Sequence, residues 1–160
     1  MKDSLGIPSA AGKNLLHAGL PTVKKTLDDA QIQVSIHSDD DILAARRKAR
    51  ELAVKTGFST TDATLIATAV SELARNIVLY AREGEIVEKV VYVSDQACLI
   101  IVANDAGPGI PDVERAMQVG YSTSRSLGLG LPGVKRLMDE FEITSENGKG
   151  TTVVAKKWLR

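Results

Sequence analysis

Glu72 and Asn76 stand four residues apart, so on a helix they share one face, in the stripe that also holds Leu65 and Ala69. The neighbouring stripe, Ile66, Val70, Leu73 and Ile77, is wholly apolar and must face a core. A carboxylate and an amide on so apolar a helix should border a pocket, the alternative being an exposed stripe with ordinary surface contacts. Asp105-Ala106-Gly107-Pro108-Gly109 follows directly on the apolar run Leu99 to Ala103, which puts an acid at a strand end and lets the backbone approach a ligand. Gly128-Leu129-Gly130-Leu131-Pro132-Gly133 exposes backbone N–H groups at a helix start, where the dipole favours phosphate. Gly148-Lys149-Gly150-Thr151 is a tight hairpin turn that delivers hydroxyls into a strand. Singly, the last three also read as a Gly-Pro turn, a hinge and a bare hairpin.

Two better-known phosphate motifs are excluded. Five residues separate Gly6 from Gly12 where a P-loop has four, and Asn14 follows Lys13 where it has Ser or Thr. The GxGxxG at Gly128 follows a polar loop, Gly120 to Ser126, where a dinucleotide fold has a strand.

The elements that must position these groups are legible from residue 31 onward. Gln31 to His37 alternates as a strand. Ser38 and Asp41 form a capping box for an amphipathic helix that ends at Gly57. A second helix starts at Ser59 and Asp62 and runs to about Ala81. The runs Ile86–Val93 and Ala97–Ala103 make a strand hairpin. A short helix at Asp112–Gln118, a loop to Gly130, a helix near Leu131–Phe141 and a closing hairpin follow. Within that last helix Lys135, Arg136, Asp139 and Glu140 should point outward. The fold class is therefore α+β, a two-layer sandwich with a mixed, mostly antiparallel sheet covered by helices on one face. Residues 1–30, broken by Gly6, Pro8, Gly12, Gly19 and Pro21, form an arm of unassigned role before a domain at 31–160.

The chain of 160 residues has 44% hydrophobic and 25% charged residues, which fits one globular domain. Twenty Lys+Arg balance twenty Asp+Glu, so binding of nucleic acid or membrane by bulk charge is not expected. The lone Cys98 lies in an apolar run and reads as a buried small hydrophobe. No run approaches a membrane span and no secretory h-region follows Lys2, so a cytoplasmic location is expected.

Taken in order, the four groups resemble the N, G1, G2 and terminal GT boxes of the GHKL ATP-binding superfamily. Longer stretches, Ser71 to Ile77, Asp105 to Asp112, Gly120 to Ser124 and Gly130 to Phe141, are similar to the RsbT-type serine kinases of bacterial partner switching. The resemblance covers residue 31 to the end. It implies that Asp105 accepts a hydrogen bond from the adenine amino group of ATP or ADP, with Gly107 and Gly109 in the same box and Gly109 letting the base lie close. Thr151 would support adenine through water, Gly128 and Gly130 would offer N–H groups to the phosphates, and Asn76 would bind Mg²⁺. Glu72 would be the general base. Asp112 to Leu127 would be a lid over ATP, in which Arg125 is a further candidate phosphate contact. The implied substrates are STAS-domain scaffold proteins of a stressosome, and the implied second partner is a phosphatase activated by binding. A sensor histidine kinase needs a longer helical hairpin than the arm provides. An anti-sigma factor kinase and a non-catalytic adaptor remain as alternatives, and the presence of both Glu72 and Asn76 weighs against the adaptor.

Overall fold

The computed structural model of the protein describes residues 31–118 and 130–160. Its chain order is β1 (Gln31–Ile36), α1 (Asp39–Thr56), α2 (Thr60–Asn76), β2 (Gly84–Val93), β3 (Gln96–Asp105), α3 (Val113–Ala116), α4 (Gly130–Leu137), β4 (Glu140–Glu146) and β5 (Gly150–Trp158). The strands form one sheet in the order β1-β2-β3-β5-β4. All four pairings are antiparallel, more uniform than the mixed sheet expected. Residues 1–30 and 119–129, which include the expected arm, most of the lid and Gly128, lie outside the described residues.

Local sequence explains the helix starts. The Ser38–Asp41 capping box is formed, and Gly57 closes α1 in the left-handed region at φ 107°. Ser59 caps α2 by accepting the Asp62 backbone N–H at 3.0 Å. Ile66, Val70, Leu73 and Ile77 are at most 2% exposed. Ala63, Ala67, Ala69 and Ala74 bury the rest of the helix, so α2 is enclosed by α1, α4 and the sheet.

Two helix ends differ from expectation. The second helix gives way at Ile77 to a π turn, Ile77–Ala81, closed by Arg82 at φ 71°. Such a turn takes up an extra residue, and here it brings Tyr80 and Ala81 to the edge of the pocket described below. The final helix stops at Leu137, a turn early, because strand β5 takes over its end. Lys157 Nζ donates to the Leu137 carbonyl at 2.8 Å, and the Asp139 N–H donates to the Lys156 carbonyl at 2.9 Å. Asp139 consequently turns inward, accepting from the Trp158 N–H at 2.8 Å, and Glu140 joins β4 and pairs with Lys156. Lys135 and Arg136 are exposed as expected.

The core between sheet and helices contains one uncompensated acid. Glu88 of β2 is fully buried, and neither carboxylate oxygen has a hydrogen-bond partner. Burial pushes its pKa up to about 8, and the Lys48 ammonium only partly opposes this. The folded state therefore holds a proton that the unfolded chain releases near pH 4.3. Stability is greatest below that value and is lost as pH rises toward 8. Glu88→Met should flatten this slope. In urea titrations at pH 5.5 and 7.5, the wild type should lose about 2–3 kcal/mol more than the variant across that interval.

Candidate active site

A cavity of about 290 Å³ opens where the ends of β3 and β5 meet α2 and the start of α4. Six of the eight sequence-predicted residues line it: Glu72, Asn76, Asp105, Gly109, Gly130 and Thr151. Gly107 stands just behind the wall, and Gly128 lies outside the described residues. The walls are otherwise apolar, formed by side chains such as Leu73, Ile77, Ile110, Leu131 and Val153. That combination of an apolar slot and few polar groups suits a flat heterocycle.

Asp105 is the organising residue. Register places it opposite Thr151 at the end of the β3–β5 pair. Its Oδ1 accepts the Gly107 N–H at 2.9 Å and the Thr151 N–H at 3.3 Å. No described residue engages Oδ2, which leaves an acceptor for a ligand. Glycine is required around this carboxylate for steric reasons. A Cβ on Gly150, at φ 114°, would come within 2.0 Å of the Asp105 carbonyl oxygen. One on Gly107 would meet the Ala81 Cβ at 2.6 Å.

Ser145 is a site residue that the strand pattern alone did not flag. Its hydroxyl accepts the Ile110 N–H at 2.7 Å and lies 2.9 Å from Thr151 Oγ1. The Gly148 N–H donates to the Pro108 carbonyl at 2.7 Å. The closing hairpin and the Gly-Pro loop are thus one hydrogen-bonded unit. The side chains at Ser145 and Tyr80 could be assigned to the pocket only once strand register and the π turn were known.

On the opposite wall Glu72 is 7% exposed. Its Oε1 accepts from Arg75 Nη1 at 2.7 Å, one helical turn on, so the buried charge has a partner. Asn76 follows on the same face, half-buried. Among the described residues no three His, Cys, Asp or Glu side chains cluster as a metal site. A cation at Asn76 would therefore draw its other oxygens from ligand phosphates and water, the usual arrangement for Mg²⁺.

Residues 37–157 match the model of the histidine kinase-like ATPase domain. The chain belongs to that family. It is 53% identical over 127 residues to the serine/threonine-protein kinase RsbT of Bacillus subtilis, covering 79% of this chain and 96% of the relative. It is 38% identical to an anti-sigma F factor of Halalkalibacterium halodurans over 61% of this chain and 70% of that one. An anti-sigma F factor of Geobacillus stearothermophilus is 29% identical over 81% of this chain and 92% of its own. The fold expected from the GHKL resemblance, an antiparallel sheet under helices on one face, is the one observed.

Asp105→Asn tests the base pocket with little change of shape. The amide oxygen can still accept from Gly107 and Thr151, which turns the NH₂ toward the ligand in place of Oδ2. Loss of that acceptor should weaken ADP binding by about 10- to 150-fold, or roughly 1.5–3 kcal/mol, in calorimetric titration. An unchanged affinity would remove Asp105 from the adenine pocket.

Proposed function

We propose that this chain is an ATP- and Mg²⁺-dependent protein serine/threonine kinase of bacterial partner switching. Its substrates are STAS-domain scaffold proteins of a stressosome, and it activates a partner phosphatase by binding. The observation that carries this reading is the convergence of Glu72 and Asn76 with Asp105 and Thr151 on one cavity. The pocket has an acid and a hydroxyl at its base-binding end and a carboxylate with an amide at the other.

Each residue then has a defined task. Asp105 Oδ2 accepts from the adenine amino group, while Thr151 and Ser145 hold the loop that the base rests against. The backbone at Gly130, with Gly128 before it, donates N–H groups to the phosphates at the start of α4. Asn76 would hold Mg²⁺, which when bound offsets the negative charge of the phosphates. Glu72 takes the proton from the incoming serine or threonine hydroxyl as that oxygen approaches the γ-phosphoryl group in line. Arg75 holds Glu72 Oε1, so the base is oriented before substrate arrives.

The second reading is a kinase that also holds a sigma factor directly, supported by the anti-sigma F factors among the relatives. Identity of 53% over 96% of RsbT favours the first. Incubation with Mg-ATP and candidate STAS-domain and anti-sigma-antagonist proteins, followed by mass spectrometry, separates them by which protein gains phosphate. No phosphorylation of any candidate would favour a nucleotide-binding adaptor.

Glu72→Gln separates chemistry from binding. ADP affinity should remain within about twofold, while phosphoryl transfer should fall by roughly 10²–10⁴. Retained transfer in single-turnover assays would show that positioning alone suffices without this base.

A further inference from the structure

The face of the sheet turned away from the helices carries a second apolar cluster. Val87 and Val91 of β2 pack there with Cys98, Ile100 and Val102 of β3, and Trp158 lies against them. Cys98 is 1% exposed and Ile100 2%. Side chains on a bare sheet face keep their tips in water, so burial this deep requires a cover. The buried residues of α1, α2 and α4 belong to the other cluster, so no described helix supplies it. At the margins of the face the chemistry changes to carboxylates. Glu85 lies at the β1 side, and the exposed Glu142 lies on β4.

We propose that residues 1–30 of the same chain pack across this face. The segment joins β1 at Gln31, on the edge strand about 10 Å from β3. Even wholly helical it would be about 45 Å long, against about 33 Å for the ten residues of β3. Its Leu16, Leu20, Val23 and Leu27 recur at the four- and three-residue intervals of a single apolar stripe. Lys13, Lys24 and Lys25 are complementary to the carboxylates at the margins. RsbT, matched over 96% of its length by 127 residues, has almost no counterpart to this segment. The cover is thus a device of this chain rather than of the kinase domain.

Cys98 is the single cysteine and sits at the centre of the face, so its reaction with a maleimide reports on the cover alone. The experiment compares the native full chain with a full chain carrying Leu16→Asp and Val23→Asp. The double variant should label at least about tenfold faster, with both proteins monomeric by light scattering. Equal rates would overturn the proposal. So would native protection that grows with protein concentration alongside a dimer mass, which would assign the face to a second copy. Should the variant fail to fold, zero-length carbodiimide cross-linking of the native monomer decides instead. Cross-links from Lys13, Lys24 or Lys25 to Glu85 or Glu142 support the cover, and their absence overturns it. Labelling and cross-linking need neither nucleotide nor substrate, so their outcome is independent of the kinase reading.

Discussion

One carboxylate oxygen holds the pocket together. Asp105 Oδ1 accepts N–H groups from Gly107 and Thr151, joining the end of β3, the Gly-Pro loop and the start of β5 at one atom. Ser145 and Gly148 add further ties between the same loop and the closing hairpin. A hydrogen bond to a charged acceptor is stronger than a neutral one, and here two of them converge. Their combined effect is to fix Oδ2 in space before any ligand arrives. The tight approach of Gly150 to the Asp105 backbone follows from that arrangement, since a side chain there would push the strands apart.

The two buried glutamates show how differently the fold treats the same group. Glu72 keeps its charge at the cavity wall because Arg75, one turn along α2, supplies the opposite charge at 2.7 Å. Glu88 lies among apolar side chains on β2, where Lys48 makes only a distant contribution, and it holds its proton to about pH 8. A carboxylate in the first setting is available to accept a proton or a hydrogen bond at neutral pH. In the second it stays neutral and costs stability as the solution becomes alkaline. Environment, not residue type, divides their roles.

Much of the architecture was legible in the chain because it is written in local patterns. The capping box at Ser38, the cap at Ser59, the alternation in β1 and the two hairpins all depend on neighbours within a few residues. The site boxes were legible as a set because their glycines and acids fall at element ends. The misses all come from contacts between distant segments. The early end of α4 depends on Lys157 reaching back to Leu137, and the inward turn of Asp139 depends on Trp158. The π turn after Asn76 has no periodicity of its own to read. Ser145 gained its place only from the register that sets β4 beside β5.

The order of strands also constrains how the molecule comes into being. Strand β5 is the last element described, yet it is inserted between β3 and β4 and supplies Thr151 to the pocket. During synthesis from the N-terminus, the helices and the β1–β2–β3 meander are available first. At that stage the free edge of β3 presents unpaired backbone groups, and Asp105 lacks the strand that anchors it. A nascent chain therefore carries an open sheet edge and no finished pocket until residues 150–158 have emerged. Nucleotide cannot serve as a folding template for the earlier elements, and any protection of that edge before completion has to come from outside the domain.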